Sequence, residues 1–187
     1  MKISSETSKI LSKEHENILK VVDALELEVK QLNDKDIDTT IFRKVIDFIR
    51  NYADKFHHAK EEDILFKEFN KCAEEGCVHC NPVEQMLVEH DEGRRNVKLM
   101  ESGLNEKNKS KLIEGAKGYI ELIREHIFKE DNILYPMADE ALSNEVKKTM
   151  LEKFKKISST KKKEVEGFEK FANELKDKIK NLLQKEF

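Results

Sequence analysis

The sequence predicts an all-α protein, an up-down-up-down four-helix bundle with additional C-terminal helices. Its 187 residues include only two prolines and six glycines, and apolar residues recur at steps of three and four, which is typical of amphipathic helices. Short polar connections between these periodic segments favour antiparallel neighbours. We expect the bundle in residues 1–140, and in residues 141–187 a helical extension that packs on the bundle or mediates dimerisation.

The bundle helices are predicted from four periodic segments: residues 5–32, 42–69, 82–101 and 109–135. Asp38 or Thr39 is expected to cap the second helix. Asn81 and Pro82 are expected to start the third, because asparagine caps well and proline suits the first helical position. Pro136 is expected to stop or kink the fourth helix.

The C-terminal segment carries two further apolar stripes. They comprise Met150, Leu151, Phe154 and Ile157, and then Phe168, Phe171, Ala172, Leu175, Ile179 and Leu182. Packing against the bundle and a homodimer interface are both compatible with these stripes.

Composition limits the partners that we expect. Charged residues make up 39% of the chain, the net charge is −3 and no basic stripe stands out, so nucleic acid is not an expected partner. No segment approaches the ~20 apolar residues of a membrane span, and residues 1–32 carry scattered charge, unlike a signal peptide. Three cysteines do not make a disulfide framework, so we expect a soluble, cytoplasmic protein with no membrane partner.

Four histidines fall on predicted apolar helix faces, namely His15, His57, His90 and His126. Two of them open similar segments, HHAKEEDILF and HIFKEDNILY, and each is followed four residues later by a glutamate, Glu61 or Glu130. That spacing places imidazole and carboxylate on one face of a helix. The residues three, four and seven positions before His58 are all polar, so we expect His58 to face a neighbouring helix or solvent, and Glu62 to face outward.

Metal coordination explains this set better than core packing does. A buried carboxylate without charge compensation costs several kcal/mol, and Arg94 is the main cation that we expect near the inner faces. Four imidazoles and two carboxylates suit iron, zinc or manganese, and without cysteine ligands there is little reason to favour structural zinc. Two bridging glutamates with two histidines for each ion would leave coordination positions open to exogenous ligands.

The order His, His-x-x-x-Glu, His, His-x-x-x-Glu on successive helices resembles the hemerythrin-like (HHE cation-binding) family. The segments HHAKEEDILF, VEHDEGR and HIFKEDNILYP carry the resemblance, which covers residues 9–138. It implies a four-helix bundle around two non-heme iron ions, joined by bridging glutamates and an oxo or hydroxo group. Carried over by position, the terminal ligands would be His15, His57, His90 and His126, and the bridges Glu61 and Glu130.

Two residues near these ligands are expected to contact an exogenous ligand. The oxygen-carrying hemerythrins have a fifth histidine one turn after the third-helix histidine, where this chain has Arg94. A cation there, beside an open position, could stabilise a bound anionic oxygen species. Tyr119, two turns before His126, could donate a hydrogen bond or fill the core. Of Glu14, Glu89 and Glu125, which each precede a histidine, we expect surface positions, although one could orient an imidazole.

Three functional interpretations follow. The first is a di-iron protein that binds dioxygen or a related small ligand for sensing or storage; the second is a redox enzyme that acts on nitric oxide or peroxide, or repairs damaged iron centres. The third is a structural bundle whose histidines only fill the core. No catalytic residue is assigned, and whether the protein is an enzyme stays open. The segment Cys77-Val78-His79-Cys80, with Cys72 nearby, could be a redox disulfide, half a zinc site or an ordinary loop.

Overall fold

The computed structural model describes residues 3–32 and 35–184, and this part of the chain is helical without any strand. Its six helices are α1 (Glu6–Gln31), α2 (residues 39–74), α3 (Val83–Asn105), α4 (residues 109–141), α5 (Asn144–Thr160) and α6 (Lys162–Leu183). The all-α class and the helical bundle are thereby confirmed. The up-down-up-down order of the bundle stays a prediction.

Side-chain caps fix where the bundle helices begin. Ser5 caps α1, and Asp38 rather than Thr39 caps α2 by accepting hydrogen bonds from two backbone N–H groups. The Asn81 side chain accepts from the backbone N–H of Val83, so α3 begins one residue later than predicted. Each cap satisfies amide groups that have no partner inside the helix.

Two of the helices contain π-helical segments. In α2 they are Ile49–His58 and Glu61–Leu65, and in α4 the segment is Glu130–Leu134. A π turn bonds each N–H to the carbonyl five residues back and so holds one more residue than an α turn. The inward stripe therefore moves by one position along these helices, and a strict α-helical period fails there.

Both of these helices extend beyond their predicted ends. The second helix reaches Glu74, and α4 continues through Pro136 to Ala141. Pro136 lies in the first turn of the α-helical part that follows the wide Glu130–Leu134 turn. Of the two expected effects of Pro136, a stop or a kink, the stop is wrong, because the helix continues to Ala141.

Glycines allow α3 and α4 to approach each other closely. A Cβ atom on Gly115 would lie 2.5 Å from the backbone nitrogen of Met100, and one on Gly103 would lie 2.3 Å from that of Leu112. No other residue fits at such contacts. The close packing of α3 on α4 brings together the two helices that carry His90 and His126.

The C-terminal helices pack on the bundle. Ala172 and Leu175 of α6 are buried in the same core as α1, and the Phe168 ring contacts Phe48 edge-on. Helix α5 contributes Phe154 to a second apolar cluster. This is the packing that the stripes allowed, while the homodimer and the division at residue 140 stay predictions. Within the described residues, no helix is long and apolar enough to cross a membrane.

Candidate metal centre

Four helices each contribute one of the predicted histidines to a common interior site. His15 lies on α1, His57 on α2, His90 on α3 and His126 on α4, and none is more than 2% exposed. The Nε2 atoms of His90 and His126 are 3.1 Å apart. Such a short separation of two ring nitrogens requires a proton or a cation between them.

A ring of carboxylates holds the outer nitrogens of these histidines. Each Nδ1 atom contacts an acidic side chain of another helix: His15 with Asp131 at 3.0 Å, His57 with Glu14 at 2.9 Å, His90 with Glu62 at 2.7 Å and His126 with Glu89 at 2.8 Å. An ionised carboxylate only accepts hydrogen bonds, so each Nδ1 carries the proton. In the neutral ring, Nε2 then keeps a lone pair, which is the form that binds a metal.

The ring corrects two expectations about acidic residues. Glu14 and Glu89 were expected at the surface, but both orient ligand histidines, while Glu125 is exposed as expected. Glu62 was expected to face outward, but its side chain is 27% exposed and bonds to His90. These carboxylates lie within one turn of a histidine of their own helix and yet bind the histidine of a neighbouring helix, which only tertiary packing decides.

The predicted bridging carboxylates lie in the centre of the site. Glu130 is fully buried, with Oε2 at 3.2 Å from His15 Nε2 and Oε1 at 3.2 Å from His126 Nε2. Glu61 is also fully buried, and its Oε1 accepts a hydrogen bond of 2.5 Å from the hydroxyl of Tyr135. Glu61 Oε2 is 3.6 Å from both His57 Nε2 and His90 Nε2. All six predicted ligands are therefore brought together.

Several central atoms have no hydrogen-bond partner within the described structure. They are His57 Nε2, Glu61 Oε2 and both carboxylate oxygens of Glu130. Buried polar atoms are rarely left unpaired, because each costs about 1–3 kcal/mol. Here lone pairs and carboxylate oxygens converge without any hydrogen-bond donor, and a cation would satisfy them. The residues present thus fit a metal centre.

His58 joins this centre by facing a neighbouring helix, although it was not among the predicted ligands. Its side chain is buried, and its ring stacks on that of His90 with centroids 3.8 Å apart. The π-helical segment Ile49–His58 supplies the extra residue per turn that turns two consecutive histidines inward. The His57-His58 dipeptide was the only sequence signal that both histidines point inward, and a pattern based on the α-helical period does not detect it.

Ligand atoms form two adjacent groups, each with its atoms within 4.8 Å of one another. One group comprises His15, His57, Glu61 and Glu130, and the other comprises His58, His90 and His126. Both carboxylates of the first group also face histidines of the second. The potential metal-ligating atoms of the two groups therefore form one continuous set.

Comparison with known proteins agrees with this geometry. The model of the hemerythrin HHE cation binding domain matches residues 6–138. The chain belongs to this family. No curated protein and no solved structure matches the chain. The match ends before α5, so the two C-terminal helices lie outside the family's domain.

Burial shifts the pKa of His57, His58 and Glu61 in this hemerythrin-like site. At His15 and His126, burial is outweighed by Glu130 and the outer carboxylates, which raise the pKa of both histidines, that of His126 to about 9. Burial, and then the neighbouring His15, lowers the pKa of His57 well below its usual value, and burial with His90 lowers the pKa of His58 to about 3. Both rings are therefore neutral. Burial and the charge of Glu130 raise the pKa of Glu61 well above its usual value. Two buried carboxylates side by side cannot both ionise without a cation between them.

Of the two residues expected to contact an exogenous ligand, Arg94 pairs with carboxylates, and Tyr119 lies in the core, which was one of its two expected roles. The Arg94 guanidinium bonds to Asp54 at 2.7 Å, to Glu62 at 2.6 Å and to Asp91 at 2.9 Å. Its charge is thus balanced by carboxylates, and it reaches the centre through Glu62. Tyr119 is 2% exposed, and its hydroxyl has no hydrogen-bond partner among the described residues.

A buried lysine supports the hemerythrin-like centre from outside. Lys60 is fully buried, pairs with Glu14 and lies 3.7 Å from the centre of the Phe56 ring. Helix periodicity did not predict a lysine near the inner faces. Its position, three residues after His57, was the available signal. Through Glu14, its charge favours the ionised acceptor that holds His57.

The cysteines lie apart from the metal centre. Cys72 and Cys77 form a disulfide, whereas Cys80 is free and exposed. Of the interpretations left open for this segment, a disulfide between Cys77 and Cys80 is therefore excluded. Helix α2 continues through Cys72, so a turn of only a few residues brings Cys77 back to it, with Cα atoms 5.4 Å apart.

Proposed function

We propose that this hemerythrin-like domain holds two iron ions and, through them, binds dioxygen or a related small ligand for sensing or storage. The observation that carries the proposal is the position of Glu130. Its two oxygens face His15 on one side and His126 on the other, each at 3.2 Å. A carboxylate with one oxygen toward each of two ligand groups is arranged to bridge two cations.

Each ion would take its ligands mainly from one group. His15 and His57 would hold the first ion, and His58, His90 and His126 would hold the second. Glu61 and Glu130 would serve both. Imidazole nitrogens and carboxylate oxygens without thiolates suit iron, with zinc or manganese as other candidates. Bound iron would supply redox activity and coordination positions for a small exogenous ligand.

The protein's own residues would hold the ligands of this centre in the orientation needed for binding. The carboxylate ring fixes the tautomer and the orientation of four imidazoles, so that little reorganisation is needed when a ligand arrives. The complete burial of Glu61 and Glu130 excludes bulk water, which strengthens electrostatic interactions inside the site. Tyr135 donates to Glu61 and so holds the orientation of that carboxylate.

Iron content and visible spectra test the proposal. Protein produced with iron available should contain two irons per chain, and the spectrum of the reduced protein should change reversibly with oxygen. Glu130→Gln should lose iron, whereas the exposed Glu125→Gln should retain it, because only Glu130 lies between the histidines. A wild-type protein without bound metal would show that the histidines merely fill the core.

A redox enzyme acting on nitric oxide or peroxide, or serving in the repair of iron centres, is the second candidate. It is favoured by a cavity that leads from exposed residues to His58 and His90, because a substrate needs a path to the second ligand group. Irreversible oxidation together with peroxide consumption would select this function over reversible binding.

A further inference from the structure

A cavity of about 380 Å³ adjoins the second group of ligands. His58, His90 and His126 form its inner end, and the exposed Lys55 and Lys98 lie at its mouth. The cavity therefore connects solvent with the histidines that would hold the second ion.

This volume is large for a diatomic ligand. A water molecule occupies about 30 Å³ in the liquid, and a cavity of about 150 Å³ can hold benzene. Pockets that bind small organic molecules begin at about 300 Å³. The cavity falls within that class, so dioxygen or nitric oxide would occupy only a small part of it.

The walls have an apolar part, and the charged residues that also line the cavity, Arg50, Asp54, Glu89 and Arg94, are paired with other side chains of the protein. Val97, Leu122 and Ile123 provide apolar surface between the mouth and the histidines. Tyr119 also lines the cavity, and its buried hydroxyl has no partner among the described residues. A buried hydroxyl beside apolar walls offers one hydrogen bond to a ligand that otherwise gains affinity from apolar contact.

Gly93 keeps the cavity open. The atoms nearest to a Cβ at this position would belong to the side chains of Leu122 and Tyr119, at 3.7 and 3.8 Å. Unlike Gly103 and Gly115, Gly93 is therefore not required by a close approach of two backbones. Its missing side chain leaves space next to the histidines.

We propose that this cavity binds an aromatic or branched aliphatic compound with a single oxygen-bearing end, an alkyl hydroperoxide or the corresponding alcohol, whose polar end lies at His58, His90 and His126. The inference rests on the proposed function, because it gives the second ion an organic ligand instead of a diatomic one. The apolar body lies against Val97, Leu122 and Ile123, and the Tyr119 hydroxyl donates to the oxygen.

Binding of 2-phenyl-2-propanol, a redox-inert alcohol, tests the inference without any turnover. Titration into the metal-free protein, followed by NMR, should shift the signals of Gly93, Val97 and Leu122. A ligand of this size should bind with a Kd of roughly 0.1–1 mM. The same titration of the iron-loaded protein should give shifts in the same part of the chain, apart from signals broadened by the metal.

Two glycine variants provide a matched comparison. Gly93→Leu fills the cavity and should weaken alcohol binding by at least about tenfold. Gly167→Leu changes a helical glycine of α6 whose Cβ would meet nothing within 4 Å, and it should bind like the wild type. Gly93→Ala, whose methyl group fits at ordinary contact distance, should give a smaller loss and serves if the leucine variant does not fold.

Absence of saturable binding, shifts that lie away from the cavity, or equal affinity in Gly93→Leu would overturn the inference. Iron content, measured separately, keeps the two proposals distinguishable. Two irons per chain without alcohol binding refute only the organic ligand. Alcohol binding in a protein that takes up no iron refutes the metal centre and leaves a cavity whose ligand meets no metal.

Discussion

Removal of the buried ammonium group of Lys60 should destabilise the protein strongly. Lys60 is fully buried and paired with Glu14, whose side chain is 10% exposed. Lys60→Met keeps most of the side-chain volume but leaves the Glu14 carboxylate without its cation, and breaking such a pair costs about 3–5 kcal/mol. We expect the lower end, about 3 kcal/mol, because Glu14 keeps its hydrogen bond with His57.

Thermal and denaturant unfolding at equal iron content measure this effect. For a chain of this length, 3 kcal/mol corresponds to a fall in Tm of roughly 6–12 °C. Lys67→Met is the control, since Lys67 pairs with Asp63 at 2.9 Å on the same helix but is 61% exposed; it should change stability by less than about 0.5 kcal/mol. Adding Glu14→Gln to Lys60→Met should recover at least about 1 kcal/mol. If Lys60→Met is as stable as Lys67→Met, the reasoning is refuted.

Three further predictions concern the site and its scaffold. His58→Ala should lower the iron content per chain, whereas His79→Ala, which changes an exposed loop histidine, should not. Equal iron content in the two variants would show that His58 is not part of the centre. Gly115→Ala should destabilise the protein by several kcal/mol, because its Cβ would meet the α3 backbone at 2.5 Å. Gly167→Ala should instead stabilise it by up to about 1 kcal/mol, and chemical denaturation measures the free energy of unfolding of both variants. Asp139→Asn should cost about 1–3 kcal/mol at neutral pH, and the difference from wild type should shrink as the pH falls below about 4, which unfolding at several pH values would check.

The sign of the Asp139 effect follows from its pKa. Burial by itself raises the pKa, but hydrogen bonds from Ser4, Ser5 and Ser8 outweigh it and hold the pKa below its usual value. A carboxyl group whose pKa is lower in the folded state stabilises the protein above its unfolded pKa and loses this contribution as the pH falls through the folded pKa. A constant difference across that range would show that Asp139 does not act as an ionised acceptor.

The amino-acid sequence by itself determined the helical class and most of the candidate ligands of the central site. Periodicity placed His15, His90 and His126 on inward faces, because a regular α-helix returns to the same face every three or four residues. The same spacing paired His57 with Glu61. These features are local, so they could be read without knowing how the helices pack.

Tertiary structure decided what local periodicity could not express. The π turns of α2 add one residue per turn and bring His58 inward beside His57. Packing of neighbouring helices set the partners of the outer nitrogens, including Glu62 for His90, and buried Lys60 against Glu14. It also left the cavity beside the second ligand group, where helices meet around a glycine that has no side chain to fill it. Apart from the π turns, these features depend on distances between residues far apart in the chain, which no single-helix pattern contains.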